Sequence, residues 1–153
     1  MQTLLVHGTE QTPWILRIHW GSKLQDLVSL STVESEYISL SYATRQVLFI
    51  LHLLEELKEN KIDFELPIAN VYAKCFEDNT GCLDLAKTPK LRPRTKHIAV
   101  KYHHFRSYVR SKENPSGILE LHWVSTDKQQ ADIFTKPLPP KTFLALRRLI
   151  CGW

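Results

Sequence analysis

The chain is poor in cysteine, and its cysteines are odd in number: Cys75, Cys82 and Cys151, with no Cys-x-x-Cys pair. That argues against a disulfide-stapled scaffold and against a cysteine-built zinc site, and it suits a reducing compartment. Among the 7 histidines no two lie four apart, so no helix face offers the paired imidazoles of a zinc site. Long apolar runs are lacking too. The best, Val47 to Leu51, falls far below the ~20 residues of a membrane span. The opening MQTLLVHGTEQ has neither the basic start nor the apolar core of a signal peptide. There is no internal repeat and no domain-sized linker. What remains is 43% hydrophobic and 24% charged. These are ordinary proportions for one globular domain that can bury roughly 70% of its unfolded surface.

Acid is missing from one stretch. Between Asp84 and Glu113 there is none, while Arg92, Arg94, Lys96, His97, Lys101, His103, His104, Arg106, Arg110 and Lys112 crowd together. The overall excess of +4 is mild, so this local run is the better argument for a phosphate-backbone partner. The plainer reading of such a run is a solvated helix face.

The longest periodic segment is Ser29 to Leu57, SLSTVESEYISLSYATRQVLFILHLLEEL, with no Gly or Pro. Ser31 and Glu34 fit a capping box, with Glu34 reaching back to the Ser31 amide. Val33, Tyr37, Leu40, Val47 or Leu48, Leu51 and Leu54 then mark one helical face. Glu34 serves the cap and is expected to point away from that face. Glu36 lies on the edge of the face with no cap to serve. It either reaches out to solvent or needs a partner or a metal, because burying a lone carboxylate costs several kcal/mol.

Around this helix the pattern alternates. Gln2 to His7 and Trp14 to Trp20 read as a hairpin. Ala69 to Glu77 reads as a strand, followed at once by Asp78-Asn79 and a short helix from Thr80 stopped by Pro89. In open α/β sheets ligands sit where a strand's carboxyl end meets the next helix. Asp78 or Asn79 could equally be a helix cap. A basic, proline-broken connector, Lys87 to Lys96, leads to an expected helix from Lys96 to about Arg110, with Ile98, Tyr102, Phe105 and Val109 as its apolar stripe. Ile118 to Val124 reads as a strand. A short helix KQQADIFTK carries Asp132, and a last helix KTFLALRRLI should bury Phe143, Leu146 and Ile150.

Glu36, Asp78 and Asp132 thus each sit beside apolar or turn structure, where an unpaired charge is expensive. A divalent cation would account for all three, since carboxylates are the hard oxygen ligands that Mg2+ or Mn2+ prefers. Two such ions about 4 Å apart can activate water for phosphodiester cleavage.

SLSTVESEYISL, FEDNTGCLDLAKTP, RTKHIAVKYHHFRSYV and LHWVSTDKQQADIFTKPLP, in that order, resemble the ribonuclease H domain at the end of copia-type retrotransposon polyproteins. The likeness runs from about Gly21 to the C-terminus. It implies an α/β, ribonuclease H-like fold, a mixed sheet flanked by helices, as a single domain over 1–153. Within it, 1–20 would be a remnant hairpin, 29–57 the long helix, 69–136 the acidic-site strands and helices, and 139–153 the C-terminal helix. It implies metal-dependent hydrolysis of the RNA strand of an RNA–DNA hybrid, with Glu36, Asp78 and Asp132 as catalytic metal ligands for Mg2+ or Mn2+. Arg92, Arg94, Lys96, His97 and Lys101 are the implied nucleic-acid contacts, and the reverse transcriptase portion of the same polyprotein the implied partner. No membrane is involved, and the implied setting is intracellular and reducing, in a cytoplasmic virus-like particle or the nucleus. The chain departs from the family at its start. The family's first strand carries a catalytic aspartate, usually in Ser-Asp-Ala-Asp-Trp, and here the only acid before Asp26 is Glu10. The first strand is therefore expected to be missing or decayed, which makes a non-catalytic remnant that binds nucleic acid or packs against reverse transcriptase the rival reading. An integrase core, which shares an acidic α/β site, fits the order of the motifs poorly.

Overall fold

The computed structural model describes residues 25, 27–61, 71–88, 98 and 100–151. The expected hairpin within 2–20 lies outside them. The first helix, α1 (Thr32–Glu59), starts where Ser31 is extended and its Oγ accepts a hydrogen bond from the Glu34 amide at 3.2 Å. The reciprocal arm is shifted by one residue. The Glu34 carboxylate accepts from the amide of Leu30 at 2.8 Å, not from that of Ser31. Folding back over the entering chain also buries Glu34 to 8% exposure, against the expectation that it points away. The helix ends without glycine. Lys61 takes the left-handed conformation (φ 53°), and its amide donates to the Lys58 carbonyl at 3.1 Å. A side chain held there costs about 1–2 kcal/mol.

Tyr37, Leu40, Val47, Leu48 and Leu51 of α1 are buried, as their spacing predicts, and Ile38 joins them. Ser41 and Thr44 fill the gap in the apolar stripe between Leu40 and Val47. Thr44 is tolerated there because its hydroxyl donates to the Leu40 carbonyl, one turn back, at 2.8 Å.

The described sheet has two parallel strands, β1 (Ala73–Glu77) and β2 (Leu119–Trp123), with Ala73 opposite Leu119 and Glu77 opposite Trp123. Parallel neighbours need a crossover, and here it carries α2 (Thr80–Lys87) and the 98–112 segment. Ala73, Cys75, Leu119 and Leu121 face the core with α1 and α2. Lys74, Phe76, Glu120 and His122 face the other way.

Two expected helices are 3-10 turns instead. The 96–110 stretch shows turns at Val100–Tyr102 and His104–Tyr108, broken at His103. Its stripe nevertheless holds, since Ile98, Tyr102, Phe105 and Val109 are all buried. Aromatic and imidazole rings at 102, 103, 104, 105 and 108 are mediocre helix formers. The KQQADIFTK segment divides into Thr126–Lys128 and Gln130–Phe134 around an extended Gln129. A segment this short gains little from helical cooperativity. The last helix, α3 (Pro140–Cys151), packs on the Gln130–Phe134 turn and buries Leu146 and Ile150. Phe143, expected inside, is 42% exposed.

Candidate active site

Three elements converge at one end of this arrangement. Glu36 stands in the second turn of α1, Asp78 follows β1 directly, and Asp132 sits in the Gln130–Phe134 turn. Asn79, not Asp78, caps α2: its Oδ1 accepts from the Cys82 amide at 3.1 Å. Asp78, half-buried, is left out of the cap. Gly81 lets α2 come close to α1, because a Cβ there would lie 3.0 Å from Val33 Cγ2. That approach brings the turn holding Asp78 towards the turn holding Glu36.

The electrostatics record the proximity. Burial raises the pKa of the half-buried Glu36 carboxyl, the Asp78 and Asp132 carboxylates raise it further, and Lys136 works against them. Lys136 places its Nζ 2.9 Å from Asp132 Oδ1. Its ammonium is held above its ordinary pKa first by that hydrogen bond, with Asp78 and Glu36 adding to it. Asp78 and Asp132 thus both act on the Glu36 carboxyl, and all three acids act on the Lys136 ammonium. Sequence reasoning overlooked Lys136, although its spacing of four from Asp132 was visible.

A further acid, Glu77, was also overlooked. It is 1% exposed, and its Oε1 accepts from the Asn79 amide at 3.1 Å. The Cys82 thiol is pushed up by burial first and then by Glu77, Glu36 and Asp78, so it stays protonated and inert. Among the described residues, no three His, Cys, Asp or Glu side chains form a group that could hold a metal ion. The donor set is chemically suited to a hard cation, and a lysine ammonium already stands on one of its carboxylates. A tight preformed cage is not among the described groups.

Next to Glu36, Tyr37 is fully buried and its Oη lies 2.7 Å from His103 Nδ1. Burial holds the His103 imidazole below its usual pKa, and the Arg106 guanidinium pushes the same way. The neutral ring is thereby favoured, and the Tyr37 hydroxyl and His103 Nδ1 share a hydrogen bond whose direction follows the imidazole tautomer.

The basic run is dispersed. Arg92, Arg94, Lys96 and His97 lie outside the described residues. Lys101 is exposed, with its ammonium 5.0 Å above the Tyr102 ring. Arg106 turns partly inward, its Nη2 buried without a hydrogen-bond partner. Arg110 donates from Nε to the Gly117 carbonyl at 2.9 Å and pairs with Glu120. Gly117 is required there, since a Cβ would lie 2.5 Å from the Arg110 nitrogen.

Over 133 residues, 87% of its length, the chain is 32% identical to the retrovirus-related Pol polyprotein from transposon TNT 1-94 of Nicotiana tabacum. It is homologous to part of a plant-transposon Pol polyprotein. Two relatives from Arabidopsis thaliana, the Pol polyproteins of transposons RE2 and RE1, are each 37% identical over 87% and 82% of the chain. The chain spans only 9%, 8% and 8% of the lengths of these relatives. No family model and no solved structure matches it. Among the described residues, no helix is long and apolar enough to cross a membrane.

Proposed function

We propose that this retrotransposon-derived chain is a ribonuclease H-like domain that hydrolyses the RNA strand of an RNA–DNA hybrid during reverse transcription, using Mg2+ or Mn2+. The observation that carries this reading is the shared neighbourhood of Glu36, Asp78 and Asp132, drawn from three separate elements. Homology to transposon Pol polyproteins supports the same direction.

In this reading Glu36, Asp78 and Asp132 hold the cation. When bound, it supplies a water nucleophile at neutral pH and charge stabilisation for the leaving oxygen. The remaining tasks belong to the chain. Asn79 satisfies the start of α2 and so spares Asp78 from capping. Gly81 lets the two acid-bearing turns approach. The Tyr37–His103 bond ties the acid-bearing turn of α1 to the 98–112 segment. Lys101, with Arg92, Arg94, Lys96 and His97, contacts phosphates of the hybrid, and the reverse transcriptase portion of the polyprotein is the neighbouring domain.

One observation favours a second reading, a remnant that binds nucleic acid without cutting it: the described acids do not close into a metal-holding group. A labelled hybrid incubated with the purified chain and Mg2+ or Mn2+ separates the two. Cleavage that Asp78→Asn abolishes supports the nuclease. Salt-sensitive binding with no cleavage at any metal concentration supports the remnant.

A further inference from the structure

We infer that the solvent-facing side of α1 around Phe49 is a docking surface for the reverse transcriptase portion of the same polyprotein. This rests on the neighbouring domain named above, and on neither the acids nor a cation. Phe49 is 71% and Leu53 44% exposed, although they stand on the helix that lines the core. Their spacing of four puts them on one face, together with the exposed His52. The His52 ring meets that of Tyr108, from the 98–112 segment, at 6.3 Å. The exposed His104 ring lies 5.3 Å from the same tyrosine. Tyr108 itself packs against the core. Side chains from two segments thus form one aromatic and apolar surface on a base fixed to the core.

Charge decides the kind of partner. On this face of α1, Arg45 stands one turn before Phe49 and Glu56 one turn after Leu53. Phe49, His52 and Leu53 between them bring no permanent charge. Arg45 is engaged with its own helix: its Nε donates to the Ser41 carbonyl at 3.3 Å, and its guanidinium lies 5.8 Å over the Tyr42 ring. A phosphate backbone needs cations. Protein interfaces instead have aromatic centres depleted of charge, with polar residues at the rim. The relatives extend far beyond the 9% or 8% of their length that this chain covers. A domain tethered in the same polypeptide is present at millimolar effective concentration, so a few side chains suffice to hold it. Phe49 lies about 20 Å along the helix axis from Glu36, so a partner docked there leaves the acids open to a hybrid.

The test is a calorimetric titration of the purified full chain with the reverse transcriptase portion, prepared as a separate polypeptide. Melting and sedimentation of the chain alone accompany it. Phe49→Gln and Leu53→Gln are each expected to weaken association roughly tenfold or more. Both should melt within about 3 °C of the native chain. Val28→Gln removes another exposed apolar side chain, 91% exposed and outside this surface, and leaves association unchanged. The docking role is overturned if the native chain does not associate, or if Phe49→Gln associates as tightly as native. A large fall in the melting temperature of Phe49→Gln also overturns it, since the face is then covered by the chain's own segments. So does a dimer of the native chain that Phe49→Gln abolishes, which assigns the face to a second copy. Weakened hybrid binding with unchanged association assigns it to nucleic acid and overturns it likewise. Failure of hybrid cleavage strikes the nuclease reading and leaves this titration unaffected, because no acid takes part in it.

Discussion

The acidic and basic sides of this molecule behave in opposite ways. Glu36, Asp78 and Asp132 are scattered along the chain, and the fold gathers them. The basic residues near 98–112 are adjacent in sequence, and the fold parts them: Arg106 turns in, Arg110 is tied to Gly117 and Glu120, and Lys101 alone of these three stays free on the surface. Proximity in sequence is a poor guide to a shared task. Each cation goes where its own local bonds take it, whereas the acids come from α1, the end of β1 and the Gln130–Phe134 turn, segments that only packing brings near one another.

Breaking the gathered side should have the largest effect. In a preparation that cleaves hybrids, Asp78→Asn is expected to lower the rate at least about 100-fold. EDTA should abolish cleavage, and gel assays of labelled RNA check both. Next comes the packing that holds the two sides together. Phe105 is fully buried with its ring 5.4 Å from that of Tyr37, so Phe105→Ala should cost about 3–5 kcal/mol in urea unfolding.

A pH experiment sharpens the contrast at His103. Its folded pKa is depressed, so the unfolded chain takes up the proton first as the pH falls. The stability it contributes is complete above about pH 6.5 and is lost below it, towards the folded value. His103→Gln should therefore flatten part of the fall in melting temperature between about pH 7.5 and 5.5. The smallest effects belong to the dispersed cations. Lys101→Ala should reduce the salt slope of hybrid binding by about one. Arg110→Ala should leave that slope unchanged and cost no more than about 1 kcal/mol of stability, since its pair with Glu120 is surface-exposed.

The start of α1 and the strand–turn–helix at Ala73–Lys87 were legible before any coordinates, because each rests on contacts within a few residues. The separation of Glu36 from Glu34 by role was legible for the same reason. The burial of Glu34 was not, because it depends on where the carboxylate folds back rather than on helical angle. The stripe of Ile98, Tyr102, Phe105 and Val109 was readable, yet the 3-10 form of its backbone was not. Residues three apart share a face in either helix, and the break at His103 resets the phase between the two turns, so hydrophobic spacing alone does not choose between them. Glu77 escaped notice because a strand-end acid looks solvent-facing until the alternation of the strand turns it inward.

By itself, the sequence determined where α1 and α2 begin, most of the apolar side chains that go inside, and that Glu36 stands apart from the α1 cap. Those choices are local, set by hydrogen bonds and periodicity within a turn or two. Only the tertiary structure decided that Arg106 turns inward and that Asp78 and Glu36, from other segments, act together with Asp132 on the Lys136 ammonium. Each of these depends on close approach between segments far apart in the chain, which follows from packing and not from spacing.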